Sequence, residues 1–336
     1  MELDVHKREA IPLNGYPDFS ELGYQVIKEL GSNQQEERIT YLANGCKSYQ
    51  QVVIKKFNVA RTSTDWSGLK TYEREIQILQ QLDHPRIPRY IECFELSGNF
   101  YLVQEYKNAQ SLSWQRTFQP EEIKQIAISI LEILVYLQQR VNPIIHRDIK
   151  PENILVDEQL NAYLVDFGLA RIQGAKIALS SFACGTPGFM PPEEQLGYTL
   201  NQASDLYSLG GTLICLLTNT RSIDIGKLID HKYRFHFQTL VPQLNPNFKS
   251  WLAKMVERKC KYRYVNAAVA LQALKPLQVT GAETTIDILF AAIKLRQRTA
   301  VLGLAVVMMI AMAATTLILS EEGGVAQQLQ EMGSRE

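Results

Sequence analysis

From Thr299 to Leu319 the chain reads TAVLGLAVVMMIAMAATTLIL, without one charged side chain. At about 1.5 Å of rise per residue, a helix of that length crosses a hydrocarbon layer of about 30 Å. Such a run either spans a bilayer or lies deep in a core. Charges close to both ends favour the bilayer: Lys294, Arg296 and Arg298 precede it, and Glu321 and Glu322 follow. The basic flank predicts that the N-terminal side lies in the cytosol. The 17 residues from 320 to 336 are too few to bury a core of their own. The expectation is a cytosolic body held on a membrane by a single C-terminal pass, with outside signals arriving through partners or the bilayer. Ala311 and Thr315 form a small-x-x-x-small pair in the span, which leaves a homodimer open.

The residues before the span have an ordinary globular make-up, with 46% of the chain apolar. Lysine plus arginine and aspartate plus glutamate are 35 each, so the formal net charge is zero. That balance argues against a nucleic-acid partner. Cys46, Cys93, Cys184, Cys215 and Cys260 are scattered and form no C-x-x-C, which predicts free thiols in a reducing compartment. The N-terminus, MELDVHKREA, is too polar for a secretory signal.

Residues 1–23 read as a loose lead-in. GYQVIKEL, ITYLA, QVVIKKF and the stretches 91–96 and 100–105 read as short strands, and TYEREIQILQQL as a helix between the third and fourth. After Gln110 the pattern turns helical. Ile123, Ile126, Ile130, Leu134 and Leu137 recur at helical spacing behind Pro120. The stretch from Asp205 to Thr218 is apolar enough for a buried helix. A globular part over 24–276 is therefore expected, with a strand-rich lobe over 24–107 and a helical lobe over 108–276. A juxtamembrane segment over 277–298 follows, with Thr284 and Asp287 as a capping box.

The chemistry sits in IIHRDIKPENILV, residues 144–156, and YLVDFGLAR, residues 163–171. DFG alone is a weak tripeptide; at this short distance behind HRDIKPEN it is specific. Over about Tyr24 to Leu274 the sequence resembles the protein kinase family, of the Ser/Thr type found also in bacteria. The resemblance implies an α+β bilobal kinase fold, ATP and Mg²⁺ as cofactors, and protein substrates bearing Ser or Thr hydroxyls. Phosphoryl transfer requires an in-line hydroxyl, a held triphosphate and cations to take up negative charge.

By that resemblance Asp148 orients the acceptor hydroxyl and takes its proton, and Lys150 steadies the γ-phosphate. Asn153 and Asp166 supply hard oxygen ligands that suit Mg²⁺. Lys55 holds the α- and β-phosphates and pairs with Glu75, for which Glu73 is the rival. Leu30, Thr40, Val53 and Leu155 wall the adenine slot, with Thr40 where valine is usual and Val53 where alanine is usual. Gln104 takes the gatekeeper place, and the backbones of Glu105 and Lys107 meet the adenine edge. Arg147 suggests control by a phosphate on the activation segment, at Ser180 or Ser181; an ordinary serine pair is the plain alternative. Thr186 is expected to contact Asp148 and Lys150. Asp205 and Arg263 match two buried anchors, the latter with Glu193.

One stretch departs from the pattern. LGSNQQEERITYLA, residues 30–43, carries the single glycine Gly31 where the family has a glycine-rich loop. Losing glycines should loosen phosphate binding. The acids Glu36 and Glu37 matter less: a charge about 10 Å from a phosphate in water costs roughly 0.4 kcal/mol before screening. The expectation is an active kinase with weakened nucleotide affinity. The alternative is a pseudokinase scaffold that binds nucleotide or partners without transfer.

Overall fold

The computed structural model describes residues 15–33, 38–46, 50–58, 67–113, 116–173 and 185–281. The chain divides into two units, Met1–Gly281 and Ala282–Glu336, and every described residue belongs to the first. No helix among the described residues is long and apolar enough to cross a membrane. The run 299–319 lies outside them, as do the loop residues 34–37 and the serines 180 and 181.

Five antiparallel strands form the first lobe: β1 (Tyr24–Asn33), β2 (Arg38–Gly45), β3 (Gln51–Asn58), β4 (Tyr90–Leu96) and β5 (Asn99–Glu105). Their order is β1-β2-β3-β5-β4. The β4–β5 hairpin closes through Ser97 and Gly98, both at positive φ (51° and 74°). That conformation matches the right-handed twist of the flanking strands. Alternation then assigns the two faces. Tyr41, Ala43, Val52, Ile54, Tyr101 and Val103 form a core on one face. The register Thr40↔Lys55, Leu42↔Val53 and Val53↔Gln104 sets the other residues of these strands on the opposite face, which carries the predicted site.

The lead-in contributes more than expected. Phe19, 1% exposed, packs on the outer face of the sheet, edge-on to Tyr101 and Phe94 at 5.1 and 5.6 Å between ring centroids. A short 3-10 turn, Ser20–Leu22, delivers the chain from there into β1. A short stretch with so few apolar residues has no periodicity to announce it.

Helix α1 (Ser67–Leu79) lies beside the inner face of the sheet and buries Tyr72, Glu75, Ile76, Ile78 and Leu79. The second lobe is built on α2 (Pro120–Gln138). Its start is held by Pro120 in the first turn and a reciprocal box between Gln119 and Glu122. All five of its predicted apolar positions are buried. Two small sheets lie against it: β6 (Gln110–Ser111), β8 (Ile154–Val156) and β9 (Ala162–Leu164) pair together, and β7 (Ile144–Ile145) pairs with β10 (Arg171–Ile172). Beyond a single turn, α3 (Pro192–Gln195), runs α4 (Ser204–Thr218), buried along nearly its whole length. Gly210 lets it approach the end of α5 (Pro246–Met255): a Cβ there would stand 2.5 Å from Val256 Cγ1. The short α6 (Ala267–Leu274) closes the lobe against α2.

Candidate active site

A cleft of about 1130 Å³ opens between the inner face of the sheet and the β6–β8–β9 sheet. Its walls include Leu30, Thr40, Val53 and Leu155, with Gln104, Glu105 and Lys107 at the back and Lys55, Asn153 and Asp166 toward the open end. Gln104 is 4% exposed, so the rear of the slot is closed by an amide. The Glu105 N–H donates to the Arg89 carbonyl, and the Lys107 carbonyl accepts from the Ala109 N–H. The groups these two residues can offer an adenine edge are therefore the Glu105 carbonyl and the Lys107 N–H. The Lys107 ammonium ties the hinge to the Pro85 carbonyl (2.9 Å) and to Glu105 Oε1 (2.7 Å).

Lys55 and Glu75 meet at 2.6 Å, with Glu75 fully buried; Glu73 stays exposed on the other side of α1. Spacing on the helix decides this: Glu75 shares the buried side with Ile76, Ile78 and Leu79, and Glu73 does not.

Below the cleft, three side chains close on Asp148. Its Oδ2 accepts from Asn153 Nδ2 at 2.7 Å and lies 3.0 Å from Lys150 Nζ. Its Oδ1 accepts from the Thr186 hydroxyl at 2.9 Å, and Lys150 donates to the same hydroxyl oxygen at 2.7 Å. Asn153 also donates to the Asp148 carbonyl at 2.8 Å. Both of those bonds use its nitrogen, so the amide oxygen is the atom available to a cation.

Asp166 is the second oxygen donor. Burial alone would raise its pKa, but the Lys55 and Arg38 cations and the Gly168 N–H hold the carboxyl well below the usual range. It stays ionised, as a cation ligand must. Two hard oxygens fit a divalent cation that keeps its other positions for phosphate and water. Asp166 and Arg147 both have positive φ, 64° and 71°. Arginine rarely takes up that conformation, and here it is held by its surroundings. The Asp205 carboxylate accepts from the backbone N–H of His146 (2.8 Å) and of Arg147 (2.9 Å), fixing the loop that carries Asp148.

Arg147 has a partner that the sequence did not announce. Its guanidinium already has a carboxylate partner: Nε donates to Glu194 Oε1 at 2.8 Å, and Nη2 makes a short contact with the same oxygen. The two side chains are 1% and 3% exposed. Its charge thus faces a carboxylate from α3, while Ser180 and Ser181, the expected phosphate sites, lie outside the described residues. Glu193, its neighbour, takes Arg263 in a two-pronged pair at 2.7 Å on both oxygens. A second unforeseen contact joins Arg38 to Asp166 at 3.4 Å.

Burial pushes the His146 imidazole down to about 4, against the pull of the Asp148 and Asp166 carboxylates. The ring packs edge-on to Phe167 at 4.7 Å. Its ordinary value is 6.5, so the folded chain binds fewer protons than the unfolded one between pH 6.5 and 4. The stability this gives is present above that window and lost as pH falls through it. Asp205, pushed up to about 6 by burial, works in the opposite sense below pH 6. Both proteins share the Asp205 part, so a comparison with His146→Phe isolates the histidine. Between pH 7 and 4 the variant should gain on the parent by on the order of 3 kcal/mol in denaturant melts. A difference that stays constant with pH would refute the buried neutral ring.

Comparison with known proteins agrees with this geometry. The family description "Protein kinase domain" matches residues 24–274. Serine/threonine-protein kinase D of Synechocystis is 32% identical over 77% of this chain and 53% of its own length. Serine/threonine-protein kinase B of the same organism is 35% identical over 61% of this chain and 37% of its own. Serine/threonine-protein kinase PrkC of Bacillus subtilis is 31% identical over 60% and 31%. The chain thus spans about half or less of the length of these curated relatives.

Proposed function

Because the chain belongs to the protein kinase family, we propose that the protein transfers the γ-phosphoryl group of ATP to serine or threonine hydroxyls of other proteins. One observation carries this reading: a carboxylate, Asp148, is held among Lys150, Thr186 and Asn153 beneath a cleft whose wall bears the Lys55–Glu75 pair. In that arrangement Asp148 orients the acceptor hydroxyl and receives its proton, and Lys150 steadies the transferred group. Lys55, aimed by Glu75, holds the phosphates nearer the adenine. Asn153 and Asp166 would hold the divalent cation, for which the hard, two-oxygen donor set favours magnesium. When bound, that cation neutralises the phosphate oxygens. Lys150 within HRDIKPEN and the tripeptide Gly185-Thr186-Pro187 support a Ser/Thr acceptor, as do the names of the relatives.

The test is to incubate the purified full chain with γ-labelled ATP and Mg²⁺ and to identify the labelled amino acids. Label on serine or threonine is the expected result. No transfer to any protein acceptor, at generous nucleotide and metal, would sink the reading.

The same protein is proposed to sit on a membrane through 299–319, with residues 1–298 in the cytosol. The uncharged run and its basic flank support this. A protease added outside intact cells should leave the 24–274 region uncut; its digestion would overturn the orientation.

A further inference from the structure

Arg38 opens β2, two places before Thr40, and so shares its face of the strand. Its cross-strand partner is Phe57, as Lys55 is the partner of Thr40. One such step along the strands is about 7 Å. Arg38 therefore stands one step beyond Lys55, toward the turn that in this family covers the phosphates. Its guanidinium lies over the Phe57 ring, 5.0 Å from the centroid. Nη1 reaches both carboxylate oxygens of Asp166 at 3.4 Å. The side chain thus ends beside Asp166, a donor reserved for the divalent cation.

In the phosphate-loop pattern G-x-G-x-x-G-x-V, Thr40 takes the place of the valine. Counting back two residues, Arg38 falls on the last glycine. Glycine serves there by letting backbone come close to phosphate. Arginine serves differently: it presents a planar, permanently charged fork matched to phosphate oxygens. The contact with Asp166 is also long for a charge-assisted hydrogen bond, which is usually about 2.7–2.9 Å. It is a contact that a better anion would replace.

We infer that Arg38 is a phosphate ligand of this protein, standing in for the missing loop glycine. Without nucleotide its guanidinium rests on Asp166. With nucleotide it turns onto the terminal phosphates, and Asp166 is released to hold the divalent cation. The inference rests on the kinase reading and assigns to that site a residue that the glycine-loop pattern does not contain.

Equilibrium binding of ATP and of adenosine, in EDTA so that no divalent cation intervenes, tests it on the full chain. Arg38→Ala should weaken ATP about tenfold or more and leave adenosine unchanged, with Arg38→Lys between the two proteins. Unchanged or tighter ATP binding by Arg38→Ala, with adenosine still bound, would overturn the inference alone. Failure of the parent chain to bind either ligand, with or without Mg²⁺, would remove the nucleotide reading and this inference with it. The resting position has its own control. Asp166→Asn should tighten metal-free ATP binding, and that gain should shrink when Arg38 is also alanine. An equal gain in both backgrounds would show that Arg38 does not rest on Asp166, and would overturn that part.

Discussion

Asp148→Asn is expected to lower phosphoryl transfer by about 10²–10⁴-fold, the range typical for losing a positioned general base. The surrounding contacts make this a chemical loss and not a structural one. Asparagine has the same shape and keeps one acceptor oxygen. Set toward Asn153 and Lys150, that oxygen still accepts at the position of Oδ2, where the donors stand 2.7 and 3.0 Å away. The new amide nitrogen then faces the Thr186 hydroxyl, which can accept as well as donate. What disappears is the basic oxygen that receives the proton. Nucleotide affinity should stay within about twofold, since Asp148 does not line the cleft, and the thermal midpoint should hardly move. Equal label with the parent and the variant would mean that the transfer comes from a contaminant. The scaffold reading would then gain.

The parts of the site that could be read from the chain are those set by local pattern. Strand alternation from Thr40 and Val53 places the slot walls on one face. The run from His146 to Asn153 brings Asp148, Lys150 and Asn153 within one short loop, so their mutual bonds follow from spacing. Contacts that were not legible join distant segments or depend on backbone shape. Arg38 and Asp166 are 128 residues apart, and the pair exists only because sheet and loop face each other across the cleft. Glu193 and Glu194 look alike in the sequence, and only one of them had an expected partner. Adjacent residues on a helix point about 100° apart, so α3 turns one toward Arg263 and the other toward Arg147. The positive φ of Arg147 has no signature either, since arginine is not a residue that favours it. Phe19 is the simplest case: its burial is decided by a sheet that the lead-in cannot foretell.

Glu194→Ala should be the most damaging single change outside the reacting groups. Glu194 is buried and faces an arginine that is buried as well. Burial holds its pKa above the usual carboxylate range, although the Arg147 charge pulls the other way. Removing it takes from a buried guanidinium the carboxylate it pairs with, a change that costs about 3–5 kcal/mol. For a domain of this size that is roughly 6–20 °C of thermal midpoint. Glu194→Gln keeps an acceptor oxygen but no charge, so its loss should be smaller. The partners also predict a reversal. Arg147→Met with Glu194→Leu replaces both charges by apolar groups and should recover much of the stability, because a well-packed apolar pair can match a buried ion pair. Activity should not recover with it. Arg147 is one residue before Asp148, and its backbone is held at φ 71° by the Asp205 carboxylate and by its own side chain. With the guanidinium gone, the second of those restraints is lost and the carboxylate next to it is less well aimed. Melting curves of the three variants, read beside their transfer rates, separate the two effects. If Glu194→Ala melts within about 1 °C of the parent, the pair contributes little, and the charge of Arg147 must be neutralised by another group.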